Sequence, residues 1–148
     1  MRISSIQDLN KLAKKINTIL LPGDTVLLYG EVGVGKTTFA RLLINDYEAK
    51  SSLKKSEVLS PTFNIVFEYE IKDFIFKHYD LYRLKKENDI QNIGLFEDSS
   101  TSISLIEWPE LIKNKPINRI DLYFSYIRDM KERSLDVKTF GRLKKYEF

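Results

Sequence analysis

One short stretch constrains this chain more than any other: Leu-Leu-Tyr-Gly-Glu-Val-Gly-Val-Gly-Lys-Thr-Thr-Phe-Ala-Arg, residues 27–41. Gly30, Gly35, Lys36 and Thr37 fill every fixed position of a G-x-x-x-x-G-K-[ST] loop. The spacing has a chemical reason. Glycines let the backbone approach a ligand closely, and the turn aims several N–H groups inward as an anion nest that the next helix N-terminus continues. Lys36 then supplies a point charge for β- and γ-phosphates, and the Thr37 hydroxyl is a ligand for Mg2+. A nucleoside triphosphate site is the expectation.

The flanks agree with the loop. Val26-Leu27-Leu28-Tyr29 reads as a buried strand leading in, and Phe39, Leu42, Leu43 and Tyr47 mark an amphipathic helix leading out. The chain has 148 residues, enough for one domain with a real core. No apolar run approaches the roughly 20 residues of a membrane span, and no secretory pattern opens the chain. Cysteine is absent, which removes disulfide partners and thiolate metal sites and fits a cytoplasmic location. The formal charge of +3 is mild, and lysine pairs at 54–55, 85–86 and 144–145 suit a solvated surface as well as an RNA or acidic partner.

Around the loop, residues 4–20 are predicted to be a helix, with Ser5-x-x-Asp8 as a capping box and an apolar face of Ile6, Leu9, Leu12, Ala13, Ile16 and Ile19. Residues 49–57 read as a mobile lysine-rich loop. Residues 65–70 and 74–79 form a hairpin about Lys72-Asp73, and residues 81–93 are helical in part, ending at Gly94. Residues 103–107 look like a buried strand, Pro109 and Pro116 bracket a short helix, and residues 120–126 and 135–140 make a second hairpin. A strand feeding a phosphate loop and helix predicts an α/β fold, a P-loop NTPase-like three-layer sandwich with the ligand at the strands' carboxyl ends. The hairpins make its central sheet mixed.

Binding alone needs only the loop; hydrolysis or transfer also needs a metal partner and a group that orients water or an acceptor. Glu107, an acid at the end of an apolar strand, fits the metal partner. Asp80, ending the 74–79 strand, fits a catalytic role and a helix N-cap equally on spacing. Thr62 suits a switch threonine, Arg41 and Arg83 are candidate charge stabilisers or surface ion-pair formers, and Trp108 is either core or near the nucleotide. His78, the only histidine, lies in an alternating strand and reads as a packed or surface residue rather than a base.

Four segments taken together resemble one family: residues 30–41, Ser60-Pro61-Thr62-Phe63, His78-Tyr79-Asp80-Leu81-Tyr82-Arg83 and Ile106-Glu107-Trp108-Pro109-Glu110. Their order and spacing, over residues 22–110, are similar to the TsaE (YjeE) family, bacterial P-loop ATPases of threonylcarbamoyladenosine modification of tRNA. The resemblance implies one cytoplasmic ATPase domain that uses ATP and Mg2+, acts with TsaD and TsaB-type proteins, reaches tRNA through their complex and hydrolyses ATP slowly alone. It further implies that Glu31, Val32, Gly33, Val34, Gly35, Lys36, Thr37 and Thr38 wrap the phosphates, with Trp108 beside them. Thr37 and Glu107 would hold Mg2+, and Asp80, Glu107 and Thr62 would form the catalytic set. Val32 and Val34 depart from the Leu and Ala common in the family, both at variable loop positions. The alternatives are a small-molecule kinase of the same loop class, or a nucleotide-binding regulatory module without hydrolysis. A GTPase is disfavoured, because Asn114-Lys115-Pro116-Ile117 lacks the Asp of a guanine reader.

Overall fold

The computed structural model describes residues 1–148. In chain order the elements are β1 (Arg2–Ile3), α1 (Ile6–Asn17), β2 (Thr25–Tyr29), α2 (Lys36–Lys50), β3 (Val66–Ile71), β4 (Phe74–Asp80), α3 (Glu87–Asn92), β5 (Ser102–Glu107), β6 (Arg119–Ile127) and β7 (Glu132–Phe140). All seven strands join one sheet in the order β1-β7-β6-β2-β5-β4-β3. Its centre is parallel, since β2 pairs with both β5 and β6, and β5 with β4. Antiparallel hairpins β3–β4 and β6–β7 close the flanks, which makes the sheet mixed as expected.

Strand alternation sorts side chains between two faces. Val26 and Leu28 of β2, Phe76 of β4 and Leu105 of β5 join the larger core with Phe39, Leu43 and Ile44 of α2 and Leu9, Leu12 and Ile16 of α1. Leu27, Tyr79 and Ile106 point the other way, into a smaller core with Leu81, Leu95 and Ile112. Helices α1 and α2 therefore cover one face, and the α3 region covers the other: three layers. Tyr47 of α2 fixes the β3–β4 hairpin edge-on through Phe74 and Phe76, with ring centroids 5.3 and 5.1 Å away.

Helix α1 starts at the predicted capping box. The Asp8 N–H donates to Ser5 Oγ at 3.2 Å and the Ser5 N–H donates to Asp8 Oδ2 at 3.1 Å. Several expectations need correction. Ile6 lies in the first turn, 57% exposed, rather than on the buried face. Helix α2 runs on through Ala49 and Lys50, and the stretch beyond it is held down: the buried Glu48 carboxylate accepts the Ser56 N–H at 3.0 Å and the Ser56 hydroxyl at 2.5 Å. The segment between the prolines makes only a single 3-10 turn, Pro109–Leu111. Strand β1 had no sequence counterpart; it is two residues long and pairs with β7.

Candidate active site

The site lies where the central parallel strands end. Leu28 of β2 is in register with Glu107 of β5, and Glu107 with Asp80 of β4, so the phosphate loop after β2 and the two acids stand side by side at the sheet's carboxyl edge. Gly30 is required where the loop leaves β2. Its φ is +136°, and a Cβ there would lie 2.7 Å from the Phe124 carbonyl oxygen. The first bond of α2 runs from the Phe39 N–H to Gly35 O at 2.9 Å, leaving the N–H groups of residues 35–38 for a ligand.

The Lys36 ammonium is folded back into the loop. It donates to the Gly30 carbonyl and, at 3.0 Å, to the Glu31 carbonyl, and lies 3.9 Å from the centre of the Trp108 ring. Burial pulls its pKa below the ordinary 10.5, against the attraction of Glu107, Glu110, Asp80 and Glu31. Trp108 adopts a left-handed conformation (φ +58°), rare for so bulky a residue, and its ring meets Tyr82 at 4.8 Å.

Glu107 is 2% exposed, not a solvated strand-end acid. The Thr37 hydroxyl donates to its carboxylate, 2.9 and 3.0 Å from the two oxygens, and His78 Nε2 lies 2.7 Å from Oε2. Asp80 does not cap a helix, since the N-cap of α3 is Lys86, but its carboxylate is fully engaged. Its Oδ1 caps the following turn by accepting the Tyr82 N–H at 2.9 Å, and its Oδ2 accepts the hydroxyls of Ser60 at 2.8 Å and Thr62 at 2.7 Å.

Val32, Gly33, Gly35, Lys36, Thr37, Thr38, Thr62, Asp80, Glu107 and Trp108, joined by Ser60 and Tyr82, line one cavity of about 360 Å³. That is within the ordinary range for a small-ligand pocket. Two of the residues expected at the phosphates stand outside the lining: the Glu31 carbonyl is taken by Lys36, and the Val34 side chain is buried in the larger core while its N–H donates to Glu31 O at 3.3 Å. Arg41 is not at the phosphates; its Nε and Nη2 donate to the Val58 carbonyl at 3.2 and 3.1 Å. Arg83 donates to the Phe63 carbonyl at 3.2 Å on the surface.

His78 is packed, one of the two placements expected of it, but its contact with Glu107 and that of Ser60 with Asp80 were not foreseen. Nothing in an isolated histidine on an alternating strand announces a carboxylate partner 29 residues away, although its placement two residues before Asp80 puts both on one face of β4.

The donor chemistry suits Mg2+. A threonine hydroxyl and a carboxylate are hard oxygen ligands, and Mg2+ bound with phosphates takes only one or two from the protein. No group of three or more His, Cys, Asp or Glu forms a self-sufficient metal centre.

Comparison with known proteins places the chain in a family. The family model described as threonylcarbamoyl adenosine biosynthesis protein TsaE matches residues 3–135. A tRNA threonylcarbamoyladenosine biosynthesis protein TsaE from Rickettsia conorii is 39% identical over 112 residues, which is 76% of this chain and 62% of that protein. The like-named protein of Aquifex aeolicus is 35% identical over 80% of both chains. The match thus spans less than two thirds of the rickettsial relative's length. Among solved structures, YdiB of Bacillus subtilis superposes with a TM-score of 0.72 at 26% identity, over 95% of this chain and 84% of that one. With the family model spanning most of its length, the chain belongs to the TsaE family of threonylcarbamoyladenosine biosynthesis proteins.

Proposed function

We propose that this chain is a Mg2+-dependent ATPase that drives threonylcarbamoyladenosine modification of tRNA in the cytoplasm, acting with TsaD and TsaB-type proteins. The observation that carries this is convergence: a free-amide loop, Lys36, Thr37 and Glu107 all face one cavity at the ends of adjacent parallel strands. Mg2+, when bound, would neutralise phosphate charge, with Thr37 and Glu107 as its protein ligands. The loop amides and Lys36 bind and orient the phosphates. Lys36 does so by leaving its internal carbonyl acceptors, so its charge is held ready inside the site. Asp80 holds Ser60 and Thr62 at the cavity wall and is the group placed to orient an attacking water.

Phosphoryl transfer depends on positioning and on charge stabilisation, and a partner's arginine is worth about 10³–10⁵ in rate. Neither Arg41 nor Arg83 is directed at the loop. Slow hydrolysis by the chain alone and acceleration by TsaD and TsaB are therefore expected. Phosphate release measured with and without those partners tests this; equal rates would contradict the partner dependence, and phosphate transfer to a small acceptor would favour a kinase.

A further inference from the structure

No other side chain of the site is buried as completely as His78. It is 0% exposed, Nε2 lies 2.7 Å from Glu107 Oε2, and Nδ1 has no hydrogen-bond partner. The register explains the contact. Asp80 is opposite Glu107 and His78 opposite Leu105, so His78 stands one pleat repeat behind Asp80 on the α2 side and reaches Glu107 diagonally.

A buried carboxylate requires donors. Around Glu107 the side-chain donors are the Thr37 hydroxyl and the His78 ring. Thr37 is itself a proposed ligand, so only His78 fixes the carboxylate independently of the metal. The hydrogen bond assigns the ring proton to Nε2, since a proton on Nδ1 would leave a buried N–H unpaired and set two acceptors against each other. Carboxylates that bind metals are held by such outer partners, whose loss typically costs about 10–100-fold in metal affinity.

We propose that His78 is a positioning residue, its Nε2–H holding Oε2 of Glu107 so that the carboxylate faces Thr37 in the orientation that binds the divalent cation of the nucleotide complex. This rests on the ATP–Mg2+ reading of the cavity. It assigns His78 neither proton transfer nor contact with ATP.

The two ring nitrogens allow a clean test. A glutamine amide nitrogen takes the place of Nε2, whereas an asparagine amide takes the place of Nδ1, where the structure offers no acceptor. Binding of ADP without metal is measured by calorimetry, and Mn2+ affinity of the ADP complex by electron paramagnetic resonance, for wild type, His78→Gln, His78→Asn and Glu107→Gln. Metal-free ADP affinity is expected to stay within about twofold in both His78 variants. Mn2+ affinity should fall about 10–100-fold in His78→Asn and remain within about threefold of wild type in His78→Gln. Wild-type Mn2+ affinity in His78→Asn, beside an impaired Glu107→Gln, would overturn the positioning role and leave the metal site standing. Equal impairment of both His78 variants, or failure of both to fold, would overturn it by making His78 a core residue. Unchanged Mn2+ affinity in Glu107→Gln would instead bring down the metal-site reading itself, and this proposal with it.

Discussion

The two ends of β2 both bury charge, and they do opposite things with it. At the amino end, Asp24 is 2% exposed and saturated. Arg142 grips both its oxygens, with Nε 3.0 Å from Oδ1, and the Leu21 N–H donates to Oδ2 at 2.8 Å. Arg142 also reaches the Ile19 carbonyl at 3.0 Å, and its N–H donates to Asn118 Oδ1 at 3.0 Å, stitching the chain's last turn to the sheet. At the carboxyl end, Lys36 and Glu107 are also buried, yet with the half-buried Thr37 they open onto a cavity. Buried charge by itself therefore marks nothing functional. Spare hydrogen-bonding capacity converging on space is what separates a site from a brace.

The largest expected effect is at the open end. Asp80→Ala and Glu107→Ala should each lower threonylcarbamoyladenosine formation, in a reconstituted system with TsaD and TsaB, by at least about a hundredfold. ATP binding should survive in both. Wild-type modification rates would break the catalytic half of the contrast.

At the closed end, Arg142→Ala should cost about 2–3 kcal/mol in urea denaturation, somewhat less than a fully enclosed pair because the Arg142 side chain is 30% exposed. ATP affinity of the folded variant should match wild type; a loss there would mean that the two ends are coupled.

A smaller effect follows from pH. Burial disfavours the Lys36 ammonium, so the folded protein releases that proton below 10.5. The charge therefore works against the empty fold at neutral pH, and the penalty is released as pH climbs through the lowered pKa toward 10.5. ATP needs the charge, so affinity measured calorimetrically should decline over that same interval; constant affinity there would show that Lys36 is not used.

The smallest is at Asp121, buried beside Arg119 (Nε to Oδ1 3.0 Å) and Tyr123. Its pKa is raised, with burial outweighing Arg119. The protonated form is the one the fold prefers, so this contribution is present below the unfolded pKa near 3.8 and lost as pH rises through the folded value. Asp121→Asn should accordingly be no less stable than wild type at neutral pH, within about 1 kcal/mol by thermal melting. A loss as large as that of Arg142→Ala would make this a second brace.

The sequence made the open end legible and the closed end nearly invisible. A phosphate nest demands glycines, a lysine and a hydroxyl within eight positions, so local chemistry alone reveals residues 30–37. Glu107 could be found because an apolar strand ends in an acid. Pairings made over long separations left no such trace: Asp24 with Arg142 is 118 residues apart, and β1 with β7 more than that. The same limit hid the contact between His78 and Glu107. Sheet order sets which strand ends become neighbours, and hydrophobic alternation within one strand carries no information about its partner's register. Pro109 to Pro116 failed for a local reason. Trp108 turns left-handed at the strand's end, and the chain makes one tight 3-10 turn rather than a helix.

The most direct test of the contrast between the two ends of β2 is calorimetric titration of wild type and Lys36→Ala with ATP in the presence of Mg2+, each variant's thermal unfolding recorded beside it. Removing Lys36 deletes charge-assisted bonds worth roughly 1.5–3 kcal/mol each, so affinity should fall at least about tenfold. The unfolding temperature should be no lower, because the buried ammonium opposes the empty fold. Equal ATP affinity in folded Lys36→Ala would contradict the assignment of the open end as the nucleotide site.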